Sequence, residues 1–446
     1  MNSNILHWFE TILEERFGQK FQLLFNEIDI QIKYEDELKY VSVSHCGDFY
    51  KIPSKIKNCF EWDYESGKFG QTLDGNLPSP SNSKLASPLI IVGDDSSEIK
   101  FDVFGLIFWM LNRIEEITPE KTDNHNRFSA VDSHSYKYQY LERPIVDEWL
   151  HILSEVIVKT WPDLKLKENE FKINISHDVD QPSRYAFRSF KAFARELGVD
   201  VLRNRKFINI FTAPLIYFGT NKNLLKLDEA NTFKWIMDVS EKNNLKSAFY
   251  FICGKSHPMN DADYDIEHPA MRKLMSDIHS RGHEIGLHPS YNCYQDEERF
   301  LSEANLLKKV CDEEKIPLKK FGGRMHFLRW THPLTLKTCQ KANMAYDSTL
   351  GFSDMAGFRC GTCFEYPAFD PVESKQLTIR IRPLIVMDCT VTADRYMKLS
   401  LEQALEKILA LKNSCRKVNG QFTALWHNTE FSNKETRNLY EEVLSR

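Results

Sequence analysis

The chain has 446 residues, 42% hydrophobic and 27% charged, which is enough for two or three domains with cores of their own. Lys+Arg 58 against Asp+Glu 63 gives a net charge of −5, which argues against a nucleic-acid partner. No run approaches the roughly 18 apolar residues of a membrane span, and the opening Met1-Asn2-Ser3-Asn4 lacks the basic start of a signal peptide, so a cytoplasmic location is expected.

In chain order, Ile5, Leu6, Phe9, Ile12, Leu13 and Phe17 recur at helical spacing and predict an amphipathic helix. Short alternating segments follow over 21–25 and 28–34, then a Pro/Ser/Asn-rich connection over 78–88. Leu89 to Asp94 reads as a buried strand ending in a turn. The run 101–117 predicts a long helix carrying Arg113, Glu115 and Glu116, and 145–160 predicts another, started by Pro144. His125, Asp132 and His134 stand at loop-like spacing and read as solvated. The polar stretch 162–170 marks a boundary between an N-terminal accessory α+β domain, 1–165, and a second domain, 166–446. The ten scattered cysteines are expected as free thiols, and Cys360-x-x-Cys363 alone is weak grounds for zinc.

From Phe171 onward strand-like and helix-like segments alternate, which predicts α/β structure with parallel strands. The expected strands are 171–179, 247–253, 284–290, 321–328, 344–350, 377–387 and 422–427. Chemistry in such folds gathers at the C-terminal ends of the strands. A helical insertion over 184–211 mixes Arg184, Arg188, Lys191, Arg195, Arg203 and Arg205 with several phenylalanines. It reads either as an aromatic core face with a solvated basic face, or as a docking surface for a phosphate-bearing substrate or, peripherally, an anionic membrane.

Two stretches carry the chemistry. Phe171, Ile173 and Ile175 alternate with polar residues, and the strand runs into Ser176-His177-Asp178-Val179-Asp180. Alternation sets Asp178 and Asp180 on one side. Like charges there are costly without a cation or a proton, although Asp also caps turns. In the second stretch, Gly282 to Asn292, a helical turn begun at Pro289 would bring His288 and Asn292 to one face. His288 is the candidate metal ligand, to be joined by a carboxylate from another strand. His283 is assigned a structural, supporting role.

Residues from about 171 to 428 resemble the polysaccharide deacetylase (NodB homology) superfamily of carbohydrate esterases. Ser176 to Asp180 stands where that family has Thr-Phe-Asp-Asp-Gly, and Gly282-His283-Glu284-Ile285-Gly286 matches the lead-in to its two histidines. Arg324-Met325-His326-Phe327 is similar to its Arg-x-Pro-Tyr motif, Tyr346-Asp347-Ser348 to its Tyr-Asp-Ser segment, and Ala424 to His427 loosely to Leu-x-x-His. The resemblance implies a distorted (β/α) barrel of about seven strands behind a smaller N-terminal domain.

It also implies one divalent metal ion, zinc first, with cobalt, nickel or manganese as alternatives. By analogy Asp180, His288 and Asn292 hold the metal, although Asn292 replaces the family's second histidine. Asp178 becomes the base, steadied by Arg324, and His427 the acid. Ser290, Tyr291, His326, Trp330, Arg359 and Trp426 are candidates to meet substrate, with Asp347 and His283 in support. Backbone near Pro289 and Ser290 is the candidate donor to a developing oxyanion. The expected reaction removes an acetyl group from an N- or O-acetylated sugar, possible forms including nucleotide- or lipid-linked precursors. The alternatives are hydrolysis of a small cyclic amide or imide, and a non-catalytic sugar-binding relative.

Overall fold

The computed structural model describes the whole chain except residues 66–68, 71–74, 319, 432 and 446. It divides into two compact units, neither of them contiguous in sequence.

The first unit comprises Met1–Lys172, Leu350–Ile385 and Ala410–Phe422. Its opening helix, Ser3–Phe17, is capped by the Asn2 side chain and closed by Gly18 at φ 71, a left-handed conformation that suits glycine. Ile5, Phe9, Ile12, Leu13 and Phe17 are buried, as their spacing predicts. A five-stranded sheet follows in the order Gln22–Phe25, Asp29–Lys33, Tyr40–Ser44, Ser96–Ile99, Ile90–Val92. The last of these is not the buried strand expected: it lies at the sheet edge, and Ile91 and Val92 are exposed. The helix expected over 101–117 is Val103–Leu111 alone, because Arg113 turns left-handed at φ 48. Ile145–Thr160 forms as expected.

The strand expected over 377–387 is split between the units. Lys375–Ile381 pairs antiparallel with Tyr366–Asp370 in the first unit. Pro383 interrupts the run, and Val386–Met387 is a separate strand of the second unit.

The second unit comprises Ile173–Thr349, Val386–Leu409 and the chain from Thr423 onward. Its strands are β1 (Lys172–Val179), β2 (Ser247–Phe251), β3 (Glu284–Leu287), β4 (Phe321–Gly323), β5 (Met344–Asp347), β6 (Val386–Met387) and β7 (Gln421–Leu425). They neighbour one another in the order β5-β4-β3-β2-β1-β7-β6. The pairings from β1 through β5 are parallel, as is that of β6 with β7. All five residues of β2 are buried, the continuous apolar run of a covered parallel strand. Helices α1 (Phe190–Gly198), α2 (Asn209–Gly219) and α3 (Phe233–Lys242) lie between β1 and β2 in sequence. Helices α4 (Pro269–Ser280), α5 (Glu297–Glu313) and α6 (Leu334–Lys341) link the following strands. The unit is therefore mixed α/β with an alternating strand–helix order.

Candidate active site

The C-terminal ends of these strands bring polar side chains together. β1 delivers Asp178 and Asp180, β3 His288, β4 Arg324 and His326, β6 Asp388, and β7 His427. Asp178 and Asp180 do face one side: His288 Nε2 lies 3.7 Å from Asp178 Oδ2 and 3.3 Å from Asp180 Oδ1. His177 points the other way, with its Nδ1 2.7 Å from the Trp426 carbonyl, and burial lowers its pKa to about 3.

Asp180, His288 and His326 offer three ligand atoms to one point. His326 Nδ1 is 2.9 Å from His288 Nε2 and 3.6 Å from Asp180 Oδ1. Ligand atoms of a tetrahedral site with about 2.0–2.1 Å bonds stand about 3.3 Å apart, so these separations fit a cation. The outer ring nitrogens support this: His288 Nδ1 meets the Arg324 carbonyl and His326 Nε2 the Asn260 carbonyl. Each carbonyl takes an N–H and leaves the inner nitrogen a lone pair, the usual arrangement behind metal-binding histidines. Asp180 is partly open to a cavity, but its Oδ1 is buried and accepts no hydrogen bond.

The electrostatics agree. Desolvation works against charge on Asp180, yet His326, His288 and His427 outweigh it and hold the carboxyl well below its ordinary range. Burial likewise opposes charge on His288, but Asp178 and Asp180 raise its pKa. Burial wins at His326, whose pKa is lowered. The charges that strengthen proton binding at His288 also strengthen cation binding in the cluster.

Around this corner stand two further groups. Arg324 is fully buried and its guanidinium is spent on fixed partners. Nη1 donates to Asp178 Oδ1 (2.9 Å), Nη2 to the Ser176 hydroxyl (2.9 Å), and Nε to the Ser348 carbonyl (2.9 Å). Opposite, His427 Nε2 lies 3.7 Å from Asp180 Oδ2, while its Nδ1 lies 2.8 Å from Asp388 Oδ1. Burial opposes charge on His427, but Asp388 more than offsets it, with help from Asp180 and Asp178, and lifts the pKa to about 10. Asp388 also accepts the His427 amide, so it fixes both ring and backbone.

The other expected site residues lie in varied settings. Asn292 is turned away from the cluster: its amide group donates to the Ser256 carbonyl (2.9 Å) and its oxygen accepts from Arg329 (3.0 Å). The Ser290 and Tyr291 amides are already committed, to Glu303 (2.9 Å) and Asp261 (2.6 Å), so neither is open to an oxyanion. Tyr291 packs against His257 and Phe327. Trp330 is buried beside His332, and Trp426 packs on Phe431 and Tyr440 in the core. Asp347 accepts the Thr349 hydroxyl and amide, and the carboxylate that serves His427 is Asp388. His283 precedes β3, at the end opposite His288, and accepts the Ser247 amide. Arg359 belongs to the first unit, bonded to Glu116.

A cavity of about 280 Å³ opens beside Asp180 and His326, walled by Phe187, Tyr264 and Phe327 with Arg188, Asn260 and Asp261. Phe327 and Leu328 sit at φ 61 and 55, where bulky side chains are rare. The strained turn follows His326 directly and lies at the cavity wall.

Sequence reasoning passed over Asp388 and assigned His326 to substrate. Asp388 follows the apolar run 384–387, a strand-end position of the same kind as Asp178 and Asp180. Its absence from the expected site traces to running strand 377–387 through Pro383.

Residues 1–162 match a family of unknown function, DUF7033. No curated protein matches the chain. Among solved structures, one from Mycobacterium smegmatis, described as a candidate polysaccharide deacetylase, is similar at 15% identity and TM-score 0.39, over 64% of this chain and 85% of that one. Puue allantoinase is similar at 11% identity and TM-score 0.37, over 64% and 84%. A chitin deacetylase from the fungal pathogen Colletotrichum lindemuthianum is similar at 10% identity and TM-score 0.32, over 62% and 82%.

Proposed function

We propose that the second unit is a metal-dependent hydrolase of the polysaccharide-deacetylase kind, removing the acetyl group of an N-acetylated sugar. The observation that carries this is the convergence of Asp180 Oδ1, His288 Nε2 and His326 Nδ1 on one point, flanked by Asp178 and His427. Asp180, His288 and His326 are the residues to hold the ion, His326 taking the role first given to Asn292. A divalent ion supplies Lewis-acid polarisation of an acyl oxygen and lowers the pKa of water to about 7.

Asp178 is the base. Arg324 fixes one of its oxygens, leaving the other beside His288 to take a proton from the attacking water. His427 enters the reaction protonated, held so by Asp388, and gives the proton on Nε2 to the leaving amine as the C–N bond breaks. The products are acetate and a free amine. The motif resemblance over 171–428 supports the same reading.

Acetate release from a panel of N-acetyl sugars, with zinc, cobalt, nickel or manganese added to the purified protein, tests the proposal. No release with any metal, or full activity in Asp180→Ala, would refute it. The cavity volume of about 280 Å³ lies at the small end of ligand pockets, about 300–1,000 Å³, and keeps a second reading in view: hydrolysis of a small cyclic amide. Ring opening of cyclic amides without acetate release would select it.

A further inference from the structure

The insertion between β1 and β2 buries only part of its aromatic side chains. Tyr185, Phe193, Ala213 and Ile216 form its small core. Phe207, Ile208, Phe211, Leu215 and Phe218 are instead 60–71% exposed, and Leu202 is 83% exposed. Phe211, Leu215 and Phe218 follow one another at four and three residues, so α2 carries a single outward apolar stripe, with Ala213 and Ile216 on its inner side. The expected aromatic core face holds for Tyr185 and Phe193, whereas Phe190 and Phe211 are exposed.

The charges around the stripe have one sign. Lys191, Arg195, Arg203, Arg205, Lys222 and Lys226 are exposed and form no ion pair among the described residues. The acidic residues of the segment are each paired: Asp200 is buried on Arg184 and Tyr185, and Glu196 pairs with Arg184. Glu229 takes Arg184 and Lys206. The surface therefore combines exposed phenylalanine and leucine with cations that find no carboxylate among the described residues, while the carboxylates of the segment are all paired.

We infer that residues 190–227 form a docking face for the surface of an anionic lipid bilayer, α2 lying in the interface with Phe207, Phe211 and Phe218 among the acyl chains. Apolar insertion flanked by Lys and Arg is what such a surface binds. No helix among the described residues is long and apolar enough to cross a membrane, so the contact is peripheral. A second copy of the chain is the poorer occupant, because a two-fold pairing would set the same unpaired cations against each other. The inference does not depend on the proposed activity.

Vesicle co-sedimentation tests it, using the full chain with phosphatidylcholine vesicles that contain or lack phosphatidylglycerol. Pelleting with the anionic vesicles, weakening as salt rises, is the expected result. Phe211→Asp with Phe218→Asp should lower partition about tenfold or more per site. Arg203→Glu with Arg205→Glu should lower it about fivefold or more per charge, on anionic vesicles only. If the aspartate variants fail to fold, the wild-type salt series and the arginine pair still decide. Absence of pelleting, equal pelleting with neutral vesicles, or undiminished pelleting of both variants would overturn the inference. So would a wild-type dimer in sedimentation velocity that the phenylalanine substitutions convert to monomer.

Discussion

Arg113, Glu116 and Arg359 in the first unit and Asp180, His288 and His326 in the second are both clusters of ionisable side chains, fully buried in the first and open to a cavity at Asp180 in the second. In the first, each donor has an acceptor. Arg113 Nε and Arg359 Nε reach Glu116 Oε1 at 2.8 and 3.0 Å, and Arg113 also binds Glu115 at 2.6 Å. The cluster is electrically closed and Glu116 titrates at about 2, the two arginines outweighing the cost of burial. In the second, two lone pairs and a bare carboxylate oxygen face each other, and the cations beside them are committed elsewhere, Arg324 to Asp178 and protonated His427 to Asp388. A closed cluster holds a fold together, whereas one with its acceptors turned inward is short of a cation.

The largest expected effect is on catalysis. His288→Ala or Asp180→Ala should lower acetate release by about 10³-fold or more, the Lewis-acid contribution being several kcal/mol. Steady-state assays on metal-loaded protein check this, and the same variants should keep their unfolding midpoint within about 1 kcal/mol. The closed cluster should behave in the opposite way. Glu116→Ala leaves two buried guanidinium groups uncompensated and should cost about 3–5 kcal/mol in urea unfolding, with metal stoichiometry unchanged.

The pH dependence sharpens the contrast. Glu116 has a folded pKa of about 2 against 4.5 for the free side chain, so its stabilisation is complete above about pH 4.5 and is lost as pH falls toward 2. The contribution is about 3 kcal/mol, and Glu116→Gln should flatten the acid limb of a stability–pH curve. Smaller again, Asp388→Asn should lower kcat about 10²-fold by releasing the His427 ring, and leave bound metal unaffected. A drop in metal content would show that Asp388 acts on the ion cluster instead.

Strands of the second unit were legible because each is a short apolar run ending in a polar residue, and the C-terminal placement of Asp178, Asp180, His288 and His427 followed from that pattern. What the sequence hid depends on conformations that pattern does not encode. Asn292 stands four residues after His288, but the chain after Pro289 does not continue as an α-helix: residues 293–295 form a 3₁₀ turn and the side chain goes to Ser256. His326 reaches the cluster through a turn with left-handed Phe327 and Leu328, a backbone that propensity disfavours for such residues. Arg359 carries the same charge whether it binds substrate or Glu116, and only the fold distinguishes them. The aromatic stripe of α2 has the spacing of a core face, and its exposure is a tertiary fact.

On the proposed reading His326, and not Asn292, completes the cation site. Calorimetric titration of metal-depleted protein with zinc tests it directly, comparing wild type with His326→Ala and Asn292→Ala. One equivalent should bind to the wild type, and affinity should fall at least about 100-fold in His326→Ala, beyond the 10–100-fold cost of losing a supporting contact. Asn292→Ala should bind within a few-fold of wild type. Tight binding retained by His326→Ala and lost in Asn292→Ala would instead make Asn292 the ligand.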